Sequence, residues 1–548
     1  MAKLAVIDIG TNSIHMVLAE ILPDASYKIL DRFKDVTRLG NGTFATRRLS
    51  DEAIARAIEV LKTLATLARN KGFDRTVAVA TSAVREARNG GDFINLVEEQ
   101  AGVRVRVISG TEEARLIFLG VKNSIALSDK PTLVVDVGGG SVELILGNRD
   151  RMIQAKSLKL GAIRLAEQCL PNTPPSAPMM RALEDAVTGQ LKAAIEACAV
   201  KKFDSLIATS GMAGNLAEII HIKQTGRPLP QHNLATVSLK DLRLLESELA
   251  QSPLKIRLAI PGLDPKRADT LLPAAVVLRR LLELSGLHEM TLCDKAIREG
   301  MIYDFIARHR EGLKAEHEIP DVRRRNVIGL ARRCQTPEVH SLHVAALALR
   351  LFDQTKRLHG LRQQERDWLE YAALLHDIGY LINPRQHHKH AYYLIKHSDL
   401  DGLTADEIEV VANVARYHRR AIPTLKHQGF GELTPRLKRI VKILSALLRI
   451  ADALDRTHFS TVQTVNVKIG TTVTIEATVS GDAEMELWAA KNRADLFEQA
   501  FRRRVRFCEV PRPAGNCRLR RSPAVARHTC HTGPDDRRLP AGLPQPRL

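Results

Sequence analysis

The chain lacks the long apolar runs and paired cysteines that mark membrane proteins and disulfide-rich proteins. No uninterrupted apolar stretch approaches the roughly 18 residues that a membrane helix needs, and the N-terminal residues are typical of a strand rather than a signal peptide. The seven Cys form no CxxC pair, and their odd number argues against a disulfide framework. We therefore expect a cytoplasmic protein with reduced thiols and no membrane partner.

Positive charge is unevenly distributed along the 548 residues, a length that favours three or four domains. The formal net charge is +19, and the segment from Phe501 to Leu548 holds twelve Arg against three acidic residues. This segment is rich in Pro and lacks hydrophobic periodicity, so we predict no fold for a tail at 504–548. A basic arm for a polyanion, a disordered extension and a frame-shifted C-terminus all fit the tail. The positive charge of the remaining chain suits an anionic substrate, and no specific nucleic acid is predicted as a partner.

Two similar segments each place glycine directly after an apolar run that ends in Asp. Their sequences are LAVIDIGTNSIHMV at 4–17 and LVVDVGGGSVELI at 133–145. Each pattern predicts two strands joined by a tight turn, whose backbone N–H groups can bind an anion. The carboxylates of Asp8 and Asp136 need a cation between themselves and a phosphate. The repeat therefore predicts a metal–phosphate site.

Strands and helices alternate through both halves of residues 1–310, which indicates α/β units. The two similar halves imply a cleft between them. From about residue 312 the pattern becomes almost continuously helical and includes a predicted helix over 365–381. Strand-like alternation returns at 464–479, and a terminal helix is predicted over 483–501.

Six ordered motifs carry a resemblance to a known family: DIGTNS, TSAVREA, ISGTEEA, DVGGGSVEL, TSGMAGN and DKAIREG. Together they resemble the exopolyphosphatase and guanosine pentaphosphate phosphohydrolase family of the actin-like ATPase superfamily. The resemblance implies an α/β fold with two actin-like (ribonuclease H-like) domains, at 1–128 and 129–310, and the active site in the cleft between them. An α-helical HD-type domain at 311–460 and a small α+β C-terminal segment at 461–503 complete the predicted organisation.

The same resemblance assigns residue roles in the hydrolysis of a phosphoanhydride. It implies that Glu113 is the base that activates water and that Arg85 contacts phosphate. Simpler explanations are a carboxylate favoured in the first turn of a helix and an ordinary surface arginine. The implied ligands of Mg²⁺ or Mn²⁺ are Asp8, Asp136 and Glu143. The implied phosphate-binding residues are Thr11, Asn12, Ser13, Gly138, Gly139, Gly140, Ser141, Ser210 and Gly211, of which the last two also fit a plain strand-to-helix turn.

The helical region holds a second set of polar residues within apolar helices. Its order, H…HD…D, resembles the HD phosphohydrolase superfamily, in which imidazoles and carboxylates bind one or two divalent metals. The resemblance leaves open a second metal site, a second hydrolase, and a degenerate scaffold that channels polyphosphate. Basic residues at 387–389, 416 and 419–420 fit such a channel or a solvated face. The implied ligands of this second metal are His343, His376, Asp377, His390, His418 and Asp452.

The resemblance leads to one main expectation for function, the release of terminal orthophosphate from inorganic polyphosphate. Guanosine pentaphosphate is the alternative substrate, because both molecules present the same terminal anhydride. An actin-like nucleotide-binding regulator and an HD-site nucleotide hydrolase are alternatives of another class. Many members of the family are dimers, so the resemblance also allows a homodimer.

Overall fold

The computed structural model describes residues 2–22, 25–73, 75–200, 202–309 and 321–511. The predicted boundary before the helical domain and most of the predicted tail lie outside these ranges. Within them, no helix is both long and apolar enough to cross a membrane.

The first domain is a five-stranded sheet with helices. Its elements are β1 (Ala2–Ile9), β2 (Ile14–Ile21), β3 (Tyr27–Asp35), α1 (Thr43–Thr46), α2 (Asp51–Asn70), β4 (Arg75–Ala80), α3 (Ser82–Glu86), α4 (Gly90–Ala101), β5 (Val105–Val107) and α5 (Gly110–Lys122). The strand order is β3-β2-β1-β4-β5, with β1 antiparallel to β2 and parallel to β4. Ser50 is the N-cap of α2, since its side chain accepts a hydrogen bond from the Ala53 N–H. The first glycine loop therefore connects β1 to β2 at the carboxyl end of β1.

The second domain repeats this plan. Its elements are β6 (Thr132–Val137), β7 (Val142–Gly147), β8 (Met152–Leu158), α6 (Ala162–Cys169), α7 (Ala177–Glu196), β9 (Ser205–Thr209), α8 (Gly211–Thr225), β10 (Thr236–Ser238), α9 (Leu239–Gln251), α10 (Leu254–Arg257), α11 (Leu271–Ser285), β11 (Glu289–Leu292) and α12 (Ile297–Arg308). The strand order is β10-β11-β9-β6-β7-β8. β6 is antiparallel to β7 and parallel to β9, as β1 is to β2 and β4. The second glycine loop thus occupies the position equivalent to the first.

An apolar core shared by both sheets holds the two domains together. It contains Leu4 and Val6 from β1, Val134 from β6 and Ile302 from α12, all fully buried. Because α12 also packs along α5, it joins the second domain to the helix that carries Glu113. Burial of this apolar surface is the main stabilising contribution to the arrangement.

The third domain is helical. Its helices are α13 (Val322–Arg333), α14 (Glu338–Gln354), α15 (Lys356–His359), α16 (Gln363–Leu375), α17 (His387–Lys396), α18 (Ala405–Arg416) and α19 (Pro435–Ala453). The continuous helix predicted over 365–381 is wrong, because α16 ends at Leu375 and a 3₁₀ turn follows at Ile378–Leu381. The chain turns there because Gly379 packs directly against the backbone of α17, where a Cβ would lie 2.6 Å from the Ala391 nitrogen. His376 and Asp377 consequently lie at the break.

A small sheet and two short helices follow. They are β12 (Val462–Ile469), β13 (Thr472–Val479), α20 (Glu484–Asn492), α21 (Asp495–Phe501) and β14 (Arg504–Pro511). The terminal helix predicted over 483–501 is therefore divided in two. The prediction that the unstructured tail begins at residue 504 is wrong, because residues 504–511 pair in parallel with β13 along its whole length. Val505 and Phe507 alternate with exposed arginines and pack on the domain core, which explains why this segment is ordered as a strand.

Candidate active site

The two glycine loops have the same backbone geometry. The Gly10 N–H donates to the Ser13 carbonyl at 3.0 Å, and the Gly138 N–H donates to the Ser141 carbonyl at 3.0 Å. A Cβ on either glycine would lie 3.1 Å from that same carbonyl oxygen. A side chain at the first position of either turn would crowd that carbonyl oxygen, so both turns favour glycine there.

The loops face each other across the junction between the first and second domains. A methyl group on Gly140 would lie 2.8 Å from Thr11 Oγ1 and 2.5 Å from Ser82 Oγ. A methyl group on Gly139 would lie 3.1 Å from the Thr11 Cβ. The structure thus brings the predicted phosphate-binding residues of both loops into one small region. The Thr11, Ser13 and Ser141 side chains are buried there, while Asn12 is partly exposed.

Three of the predicted metal ligands lie on adjoining strand ends. Asp8 is near the end of β1, and Asp136 lies directly opposite Glu143 in the β6–β7 hairpin. Burial raises the pKa of Asp8 to about 6, which Arg298 opposes. Burial, with the charges of Glu113 and Asp8, raises the pKa of Asp136 to about 7.

Glu143 is the most enclosed of these carboxyl groups. It is 1% exposed, and Ser157 Oγ donates to its Oε1 at 2.7 Å. Burial, with the charge of Asp136, raises the pKa of Glu143 to about 7. Carboxylates that repel one another in this way are stabilised by a shared cation, and a donor set made only of oxygen suits Mg²⁺ or Mn²⁺. By their donor chemistry, Asp8, Asp136 and Glu143 suit a hard divalent ion.

Glu113 lies in the first turn of α5, after the cap formed by Ser109. It is buried, and Arg85 Nη1 donates to its Oε2 at 2.8 Å. The same nitrogen donates to the Ile108 carbonyl at 2.9 Å, which fixes the guanidinium beside the carboxylate. Burial, followed by repulsion from Glu143, raises the pKa of Glu113 well above its ordinary range, and Arg85 opposes the rise. A carboxyl group with a raised pKa is suited to general-base chemistry near neutral pH.

Two arginines at the site have no role in the sequence prediction. Arg298, on α12, places Nη1 3.1 Å from His15 Nδ1, and its charge opposes the rise in the pKa of Asp8 and of Asp136. Arg164, on α6, donates from Nε to the Gly140 carbonyl at 2.8 Å. The DKAIREG motif contains Arg298, so the sequence held a signal for it. A lone arginine in a helix such as α6 has no recognisable pattern.

The third predicted loop borders a cavity that reaches Arg298 at the site. Ser210 has φ +97°, unusual for a residue with a side chain, and its Oγ accepts from the N–H groups of Met212 and Ala213. The guanidinium of Arg267 lies directly against Gly211, so a side chain at that position would have to displace it. The cavity has a volume of about 350 Å³. It extends from this loop to Arg298 and is also lined by Asn215, Glu218, His232, Asp264 and Arg267.

In the helical domain the structure brings together only part of the predicted second metal set. His376, Asp377, His418 and Asp452 converge. His343 does not join them, because its Nε2 bonds to the Val462 carbonyl at 2.8 Å.

His390 also lies outside the cluster, since it is partly exposed on α17. Its neighbour three residues earlier, His387, is buried and points at Asp377. His340, three residues before His343 on α14, takes the position in the cluster that was predicted for His343, and its Nε2 lies 3.7 Å from Asp377 Oδ2. The helix face that packs inward determined which histidine of each pair is enclosed.

Comparison with known proteins identifies the family. A family model described as the Ppx/GppA phosphatase family matches residues 6–309, and a model of Ppx/GppA phosphatase domain III matches residues 322–492. The chain belongs to the Ppx/GppA phosphatase family. The predicted α/β fold, with two actin-like domains followed by a helical domain, is thereby confirmed. Like other members, this Ppx/GppA phosphatase is a hydrolase of phosphoanhydride bonds, and the family depends on divalent metal ions.

Individual relatives agree with this assignment. The chain is 28% identical over 459 residues to a guanosine-5'-triphosphate,3'-diphosphate pyrophosphatase from Photobacterium profundum, covering 83% of this chain and 88% of the relative. The crystal structure of an exopolyphosphatase from Cytophaga hutchinsonii is 28% identical, with a TM-score of 0.52, over 57% of this chain and 100% of that one. An exopolyphosphatase-like protein of known structure gives the same identity and TM-score over 56% and 98% of the two chains.

Proposed function

We propose that this Ppx/GppA phosphatase is an exopolyphosphatase, which releases terminal orthophosphate from inorganic polyphosphate in the cytoplasm. The observation that carries the proposal is the buried Glu113, held by Arg85 beside two facing phosphate-binding loops. A binding protein needs only the loops, whereas a hydrolase also needs a base to activate water. The C. hutchinsonii exopolyphosphatase supports this choice of substrate.

Each residue has a role that follows from its position. The N–H groups of the two loops bind the terminal phosphate, and Arg85 neutralises one of its oxygens. Glu113 accepts the proton of the attacking water, for which its raised pKa is suited. Asp8, Asp136 and Glu143 would hold Mg²⁺ or Mn²⁺, which when bound supplies positive charge to the phosphate oxygens.

Guanosine pentaphosphate is the second candidate substrate. It is favoured by the P. profundum relative and by the cavity of about 350 Å³ beside the third loop. This volume is in the range of small-molecule sites, and its mixed polar lining suits a nucleoside.

The experiment compares phosphate release from long-chain polyphosphate, guanosine pentaphosphate and ATP. We expect the highest kcat/KM with polyphosphate, and a higher value with guanosine pentaphosphate would establish the alternative. His232→Ala serves as the specificity control, because His232 lines the cavity and belongs to neither glycine loop. The variant should leave polyphosphate hydrolysis unchanged and should reduce only hydrolysis of a substrate whose base fills the cavity.

The proposal also includes a second divalent metal in the helical domain. Its ligands belong to the His and Asp cluster and not to the cleft, so the two sites can be tested separately.

A further inference from the structure

The first glycine loop is held from behind by hydrogen bonds to its carbonyl groups. The Gly40 N–H donates to the Thr11 carbonyl at 2.9 Å, and the Arg38 N–H donates to the Asn12 carbonyl at 2.9 Å. A trans peptide carries its C=O and its N–H on opposite sides, so each bond turns the N–H of the following residue away from the donor. Carbonyl groups held on one side of a loop therefore leave N–H groups for an anion on the other.

The N-terminus of α6 holds the first two carbonyls of the second loop in the same way. The Ala162 N–H donates to the Gly138 carbonyl at 2.9 Å, and the Ile163 N–H donates to the Gly139 carbonyl at 2.9 Å. Gly161 precedes these donors and lies directly against the backbone of the loop, where a side chain would collide with it. These bonds come from the main chain, so they do not depend on the side chains of α6.

The third carbonyl of the second loop is held by a side chain. The Gly140 carbonyl accepts from Arg164 Nε at 2.8 Å. Gly140 corresponds to Asn12, because each lies two residues after the first glycine of its loop. Arg164 thus does with its side chain what Arg38 does with its main-chain N–H in the first loop. The orientation of the Gly140–Ser141 peptide, and with it the direction of the Ser141 N–H, depends on the identity of this one residue.

The guanidinium of Arg164 also reaches the first domain. Arg164 is 5% exposed, and its Nη2 donates to Glu86 Oε1 at 2.6 Å. Its Cζ lies 3.9 Å from the centre of the Phe44 ring, which is a cation–π contact. Glu86 directly follows Arg85 on α3. One side chain therefore joins the second loop to the helix that carries the arginine assigned to the phosphate.

Each part of this guanidinium has a different partner. Nε contacts the second loop, Nη2 contacts Glu86, and the flat face covers Phe44. Because a guanidinium is planar and rigid, the three contacts fix the position of the loop relative to α3. An ion pair that served stability alone would need only the contact with Glu86.

We propose that Arg164 is a positioning residue for phosphate release. It orients the Ser141 N–H toward the phosphate and sets the distance between the second loop and Arg85, without touching the phosphate itself. The proposal rests on the proposed function, since it takes the loops and Arg85 as phosphate ligands. Loss of the side chain removes the donor from the buried Gly140 carbonyl, so the peptide can turn toward another donor.

The test measures steady-state phosphate release by the full chain with Arg164→Met, which keeps an apolar stem and removes every donor. We expect kcat to fall by about 10–100-fold, because displacement of one donor to the reacting phosphate has an effect of this order. The inhibition constant of orthophosphate should rise by about 10-fold, because the product binds to the same loops. Circular dichroism and Tm establish that the variant is folded.

Arg164→Lys is the second variant, and it keeps the charge beside Glu86. It should recover most of the Tm but not the kcat of the parent, because an ammonium group cannot hold the loop and the carboxylate in one fixed geometry. A Lys variant as active as the parent would show that the guanidinium does not position the loop, and would overturn the proposal.

Lys159 supplies a matched control, since its Nζ lies 3.6 Å from the other oxygen of the Glu86 carboxylate. Its side chain is 69% exposed, in contrast to that of Arg164. Lys159→Met removes a positive charge from the same carboxylate and leaves the bond to the Gly140 carbonyl in place. Its kcat and its inhibition constant for orthophosphate should equal those of the parent.

Two results with Arg164→Met overturn the proposal. One is a folded variant with the kcat and the orthophosphate inhibition constant of the parent. The other is a rate that falls only in proportion to the folded fraction while the inhibition constant stays the same, which is the result of a structural role. The fall in kcat should be equal for polyphosphate and guanosine pentaphosphate, because both present a terminal phosphate to the loops. A parent that prefers guanosine pentaphosphate would therefore contradict the exopolyphosphatase proposal and leave the role of Arg164 intact.

Discussion

Replacement of Gly300 by Ala tests how the packing of α12 positions the base. Gly300 lies where α12 crosses α5, and a methyl group there would lie 2.6 Å from the Leu116 carbonyl carbon and closer still to its oxygen. Ordinary contact begins near 3.4 Å, so the helices must separate by about 1 Å. Overpacking of this kind costs about 1–3 kcal/mol, against a gain of about 1 kcal/mol from the helix propensity of Ala. We expect a net loss of about 0–2 kcal/mol in the free energy of unfolding.

Activity should fall as well, because Glu113 lies one turn before Leu116 on α5. A displacement of about 1 Å at a catalytic group can reduce turnover by about 100-fold. Urea denaturation gives the stability, and steady-state phosphate release gives kcat.

Gly189→Ala makes the same chemical change where the structure leaves space. Gly189 lies exposed within α7, with no atom within 4 Å of its Cβ position. Ala at this position should stabilise the protein by about 0.5–1 kcal/mol and leave kcat unchanged. If Gly300→Ala is as stable and as active as the parent, the close α5–α12 contact does not position the site.

Three further predictions concern Arg85 at the site, the ion pair between Lys295 of the second domain and Asp401 of the helical domain, and the last strand. Arg85→Lys keeps the charge but loses the fixed guanidinium, so kcat/KM for phosphate release should fall by about 10–100-fold with little change in Tm. Lys295→Met leaves Asp401 without its buried partner at 3.5 Å, which should cost about 3–5 kcal/mol at pH 8. The pKa of Asp401 is already raised to about 6 and should rise further, so urea denaturation should show a smaller loss at pH 5, where Asp401 is protonated. A chain ending at residue 503 lacks β14 and should have a lower Tm than one ending at residue 511.

Local patterns predicted the parts of the site that depend on one segment of chain. The loops after Asp8 and Asp136 could be predicted because a buried strand followed by glycine and hydroxyl residues favours a tight turn over other local conformations. The resemblance then related Glu113 to both loops, a relation that no single segment contains.

The features that the sequence did not predict depend on packing between distant segments. His340 and His343 are three residues apart on one helix, as are His387 and His390, so helical spacing alone allows either member to face inward. The contacts of α14 and α17 with their neighbours decide between them. β14 was hidden for a related reason, because its pairing with β13 outweighs the Arg-rich and Pro-rich composition around it.

The central claim is that Glu113 activates the water that releases phosphate. Glu113→Gln keeps the size of the side chain and removes its ability to accept a proton. We predict that kcat for long-chain polyphosphate falls by about 10²–10⁴-fold, with polyphosphate binding retained. Tm should change little, because the change relieves repulsion from the neighbouring carboxylates while it removes the ion pair with Arg85. Turnover near the parent value in a folded Glu113→Gln variant would contradict the account.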